Sequence, residues 1–150
     1  SDSSYNYKKY STFLCSKTKF DIIHIDGGHS KKEVMNDLKV SDLFSKKNTI
    51  FILDDIFNPS FPEVIEVYLK YQKKYYPIFL TNQKLFFTKN KITAKKIQNY
   101  IFKNKNFLKK EINFFNKQTY FLFEENSKFL NYINNKVDKI KSLFSTRYHF

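Results

Sequence analysis

At 150 residues the chain is the size of one domain with a real core, and its 27 Lys+Arg against 14 Asp+Glu give a formal net charge of +13. The excess is lysine, Arg147 being the sole arginine, in a background rich in Asn, Ile, Phe and Tyr; phosphate-reading surfaces favour the bidentate arginine fork, so the lysines are read as a solvated surface and nucleic-acid binding is not expected. One cysteine, Cys15, excludes an internal disulfide and a cysteine-based zinc cluster, and no apolar run reaches the roughly 18 residues of a membrane span, which makes the cytoplasm the expected compartment and a membrane an unexpected partner.

In chain order, Ser1-Asp2-Ser3-Ser4 has neither a basic nor an apolar leader and no initiating methionine, so the chain is expected to continue a longer protein. Phe20 to Ile25 is short, apolar and rich in β-formers, as a central strand covered on both faces would be. Ser30-Lys31-Lys32-Glu33 is a capping box that opens a helix with Val34, Leu38 and the Val40 to Phe44 stretch on its apolar face. Thr49 to Leu53 reads as a second strand. Strand, helix and strand make a βαβ unit, whose right-handed crossover sets the two strands side by side, with Asp26 and Asp54 on one edge.

A second capping box, Ser60-Phe61-Pro62-Glu63, predicts a helix carrying Val64, Val67, Tyr68 and Tyr71. Pro77 to Leu80 and Lys84 to Thr88, flanking Asn82-Gln83, read as a terminal antiparallel pair. Beyond Lys89 the composition predicts a helix from about Thr93 to Lys110, a strand at Tyr120 to Phe123, and a last helix bearing Phe129, Leu130, Ile133, Val137, Ile140 and Phe144. Residues 1–89 are thus expected to form an α/β unit. Residues 90–150 are expected as a mainly helical extension that covers the sheet edge or pairs with a second subunit in a homo-oligomer.

The chain's two glycines stand together in Asp26-Gly27-Gly28-His29, where they allow a sharp turn and close approach to the main chain. In open α/β sheets ligands bind outside the carboxyl ends of strands, and Asp26, Asp54 and Asp55 are expected there. Three carboxylates together call for a positive charge, and all-oxygen ligation suits Mg²⁺, Mn²⁺ or Ca²⁺, of which Mg²⁺ is the one expected. His29, three residues beyond Asp26, is a proton acceptor on the same rim. His24, inside the first strand, is read as a packed, hydrogen-bonded core residue, and His149, next to the terminus, is expected to be disordered.

The stretch Phe20-Asp21-Ile22-Ile23-His24-Ile25-Asp26-Gly27-Gly28-His29-Ser30, followed by Asp37-Leu38 and Ile50-Phe51-Ile52-Leu53-Asp54-Asp55, resembles the second half of class I S-adenosylmethionine-dependent methyltransferases. Within these, it is most similar to the small-molecule and sugar O-methyltransferases with an Ile-Asp-Gly-Gly-His-Ser loop. The resemblance covers residues 1 to 89. It implies a Rossmann-like methyltransferase sheet, truncated at its N-terminus, with S-adenosylmethionine as methyl donor, a sugar or other small hydroxylated acceptor, a divalent cation on Asp26, Asp54 and Asp55, and His29 as base. It also implies that Asp2, Ser3 and Asp26 lie against the cofactor. Where that family has Pro-Gly-Gly, this chain has Lys46-Lys47-Asn48, with Asn48 able to take the left-handed conformation. The glycine-rich loop and ribose-binding acid are expected upstream of Ser1, so the chain alone is expected to be inactive. A metal-dependent hydrolase and a non-catalytic basic interaction domain are the alternatives.

Overall fold

The computed structural model describes residues 19–123. They fold as β1 (Phe20–Ile25), α1 (Lys31–Leu43), β2 (Ser45–Leu53), α2 (Pro62–Tyr71), β3 (Tyr76–Leu80), β4 (Leu85–Thr88), α3 (Lys91–Lys103), β5 (Lys109–Phe114) and β6 (Lys117–Leu122). One six-stranded sheet runs β1-β2-β4-β3-β6-β5. This mixed α/β arrangement is consistent with a Rossmann-like methyltransferase fold. No helix among the described residues is long and apolar enough to cross a membrane.

Strands β1 and β2 are parallel neighbours, as the βαβ reading requires, with Ile22 to Ile25 facing Ile50 to Leu53 in continuous register. Strand β2 then pairs antiparallel with β4, β4 antiparallel with β3, and β3 parallel with β6. Alternation along β2 and β4 sends Phe51, Leu53, Leu85 and Phe87 to one face, against Val34 and Leu38 of α1 and Val64, Val67 and Tyr68 of α2. Phe86 and Ile50 face the other way, toward Ala94, Ile97 and Ile101 of α3. The sheet is therefore covered by α1 and α2 on one face and by α3 on the other. Phe51, fully buried, stacks on Phe87 at 5.1 Å and meets Tyr75 at 5.8 Å.

The capping box of α1 forms as its sequence demands: the Glu33 amide donates to Ser30 Oγ at 3.4 Å, and the Ser30 amide donates to Glu33 Oε2 at 3.2 Å. The second expected box does not form. Proline at the first helical position drives the preceding residue out of the helical region, so Phe61 becomes the N-cap, with no side-chain bond, and the Ser60 amide donates instead to Asn58 Oδ1 at 3.0 Å.

Other expectations are also corrected. Strand β1 pairs only with β2 among the described strands, and α3 lies over β3 and β4, so β1 is not covered on both faces: Phe20 and Ile22 are exposed. Asn48 is extended within β2 and not left-handed; its Oδ1 accepts from Asn90 Nδ2 at 2.7 Å and Thr93 Oγ1 at 3.1 Å, fastening the start of α3.

The helix expected from 93 to 110 ends at Lys103, where Asn104 is extended and its amide closes on Tyr100 O. The chain then enters the β5–β6 hairpin, which continues the sheet beyond the pair expected to be terminal. Buried Gln98 stitches α3 to it, donating to Pro77 O at 3.0 Å and Gln118 O at 3.1 Å. The helix expected at 129–144, like His149, lies outside the described residues.

Because Phe51 is held by rings on both sides, Phe51→Ala is expected to cost about 3–5 kcal/mol of folding free energy, measured as a shift in the urea unfolding curve followed by circular dichroism.

Candidate active site

The parallel pairing ends flush. Ile25 faces Leu53, and the Asp54 amide donates to Ile25 O at 3.0 Å, so the chain leaves both strands at the same level. Asp26 is on that rim from β1, and Asp54 and Asp55 from β2. Beside them lies a small cavity of about 10 Å³ lined by residues that include Asp26, Gly27, Gly28, His29 and Asp54. It has room for one water and none for a nucleoside.

Asp54 and Asp55 look in different directions. Asp54 accepts a hydrogen bond from Lys84 Nζ on Oδ2, His24 Nε2 is 3.4 Å from the same oxygen, and its Oδ1 accepts from the Asp55 amide at 2.9 Å. Asp55 has a left-handed backbone, φ 53°, which turns its side chain to His29. Its Oδ2 is 2.9 Å from His29 Nε2, and its Oδ1 accepts from Asn58 Nδ2 at 3.1 Å. The His29 ring is also stacked on Phe61, 3.8 Å between centroids and 12° from parallel. A carboxylate can only accept, so neutral His29 carries its hydrogen on Nε2 and keeps the Nδ1 lone pair available.

Burial pushes the Asp54 carboxyl up, but the hydrogen bond from Lys84, the Asp55 amide, the Lys84 charge and His24 outweigh it and leave Asp54 below its ordinary value. Asp37 moves oppositely: burial, then the charge of Glu33, raise its carboxyl.

The glycines serve a purpose other than the one expected of them. Neither has a positive φ. A Cβ on Gly27 would meet Asp37 Oδ2 at 2.2 Å, and one on Gly28 would meet Glu33 Cδ at 2.3 Å and Cβ at 2.8 Å. The space beside the main chain is thus taken by α1 itself, and the glycines let that helix seat against the loop.

Of the residues singled out in sequence, Asp26, His29, Asp54 and Asp55 are brought to one rim, whereas Asp2 and Ser3 lie outside the described residues. The donor atoms converge in two groups within 4.8 Å, His24 with Asp26 and Asp54, and Asp26 with His29 and Asp55. The all-carboxylate set of Asp26, Asp54 and Asp55 is not among them. Every carboxylate oxygen of Asp54 and Asp55 already faces a protein donor, which does not fit a hard cation seeking three free carboxylates.

Sequence reasoning misses His24 and Lys84. His24, read as core, is 45% exposed, because the face of β1 that it shares with Ile22 is uncovered. Its spacing of two from Asp26 is the signal that could have found it, since residues i and i+2 of a strand share a face.

A family model described as a methyltransferase domain matches residues 2–56, a span that takes in β1, α1, β2 and every acid on the rim. No curated protein and no solved structure matches the chain. The family match supports a methyltransferase domain, and among the described residues of that span the rim gathers acids and histidines at one place.

The packing of α1 on the loop and the charge at Asp54 can each be tested. Gly28→Ala is expected to break the Ser30–Glu33 capping box and cost about 1 kcal/mol or more, whereas Gly27→Ala costs less because the Asp37 carboxylate can swing outward; urea unfolding of both variants gives the order. The lowered Asp54 carboxyl contributes stability that is fully present above its unfolded value, near 3.8, and is lost as pH falls through the lower folded value. Asp54→Asn should therefore flatten the stability curve between about pH 5 and pH 2, measured by unfolding at successive pH values.

Proposed function

We propose that this site transfers a methyl group from S-adenosylmethionine to an oxygen of a sugar or other small hydroxylated molecule, with His29 as the base. The observation that carries the reading is the His29–Asp55 pair at the joint end of two parallel strands, inside the segment that matches a methyltransferase domain. When bound, S-adenosylmethionine supplies an electrophilic methyl group on a sulfonium. The described residues offer one wall of a cofactor pocket at most, since the cavity beside Asp26 holds only a water.

Each rim residue has a role. Asp55 accepts the Nε2 hydrogen of His29 and so leaves Nδ1 as the basic nitrogen, and Phe61 holds the ring plane by stacking. His29 takes the proton of the acceptor hydroxyl at Nδ1 as that oxygen becomes nucleophilic. The resulting imidazolium is stabilised by the Asp55 carboxylate 2.9 Å away. Asp26, exposed and without a hydrogen bond among the described residues, can accept from a second hydroxyl of the acceptor. A pair of neighbouring acceptors, one basic nitrogen and one carboxylate, suits a substrate with adjacent hydroxyls, and orientation by both contributes much of the rate.

The assay uses methyl-labelled S-adenosylmethionine and a panel of sugars and small phenols. Transfer of label to an acceptor oxygen is expected. His29→Ala should lower kcat by about 10²- to 10⁴-fold, the deficit narrowing as pH rises and the acceptor ionises unaided. Full turnover in His29→Ala at neutral pH would remove His29 from the mechanism.

A further inference from the structure

Two groups on the rim bring donor atoms within 4.8 Å, and the one made of His24, Asp26 and Asp54 already has a cation beside it. Lys84 arrives from the turn between β3 and β4, with Nζ on Asp54 Oδ2 and 3.3 Å from His24 Nε2. Its backbone is held in place at the base of the side chain. The Lys84 amide donates to Thr81 Oγ1 at 3.1 Å, and the Thr81 amide donates to Lys84 O at 2.9 Å. The next residue, Leu85, is fully buried and paired with both Leu53 and Leu80. The ammonium is thus delivered by a hairpin stitched to β2, the strand that Asp54 terminates. A divalent ion among His24, Asp26 and Asp54 would lie within a few ångströms of that ammonium, at a carboxylate only 14% exposed, where like charges are poorly screened.

We infer that Lys84 takes the cation position at Asp54: its ammonium neutralises that carboxylate and keeps Mg²⁺ and Mn²⁺ from the His24–Asp26–Asp54 group. As a consequence, resting on the methyl transfer proposed above, turnover requires no divalent ion at Asp54, and Lys84 acts as a positioning residue that fixes Asp54 and His24 beside the acceptor.

The test is ion binding and needs no catalysis, so loss of the methyltransferase reading would leave it standing, and its failure would leave that reading intact. The 150-residue chain and its variants are titrated with Mn²⁺ and free ion is read by electron paramagnetic resonance. The quantity that decides is binding that disappears on adding Asp54→Asn. None is expected in the parent or in Lys84→Arg, which keeps the charge. Lys84→Gln should gain one such site, tightening Mn²⁺ binding by about ten- to a hundredfold; Lys84→Met, which keeps the apolar stem, replaces it if the glutamine variant does not fold. Asp54-dependent Mn²⁺ binding by the parent overturns the inference, as does its absence from a folded Lys84→Gln or Lys84→Met protein.

Discussion

The register of β1 on β2 is the constraint on which the site depends. Ile25 opposite Leu53, sealed by the bond from the Asp54 amide to Ile25 O, makes the two strands stop at one level. A slip of one residue would turn Phe51 and Leu53 out of the core and carry Asp54 away from His24 and Lys84. The core fixes the register in turn: Phe51 and Leu53 are buried against α1 and α2, so that sliding the strand to move the acids would empty the packing beneath them. Fold and rim are therefore coupled through a single row of apolar side chains.

Once the strands end together, alternation separates the acids. Asp54 belongs with His24 and Lys84, and Asp55, turned by its left-handed backbone, belongs with His29, Asn58 and Phe61. The two halves do different electrostatic work. One is an ion pair that neutralises charge in a partly buried place; the other is a histidine held between a carboxylate and an aromatic ring. Asp26 stands between them, shared by both groups and committed to neither.

Much of this is legible in sequence where the signal is local. Apolar runs mark β1 and the end of β2, the Ser30–Glu33 pair marks the start of α1, and the acids with His29 mark the rim, because strand ends are where an α/β sheet exposes reactive groups. The illegible part is non-local. Lys84 reaches Asp54 across 30 residues and a hairpin, with nothing near either residue to announce the pairing. The start of the β5–β6 hairpin reads as helix because its turn has no glycine: Phe115 and Asn116 occupy it at φ 46° and 63°, with Phe115 held there by packing on the core. His24 reads as core because the pattern of β1 gives apolar residues on both faces, although only one is covered.

Lys117 carries a consequence for where this fold can be divided. Its ammonium donates to Gln72 O and Tyr75 O, beyond the end of α2, while lying 4.9 Å from the Tyr76 ring. Strand β6, which bears it, also covers the edge of β3 through the Phe79–Tyr120 and Leu80–Phe121 pairs. A boundary at Lys89 would leave β3 as a bare, apolar edge, the kind of surface that recruits a foreign strand. Among the described residues, a module that keeps the edge of β3 covered therefore extends through Leu122, and the composition change after Lys89 falls inside one continuous sheet.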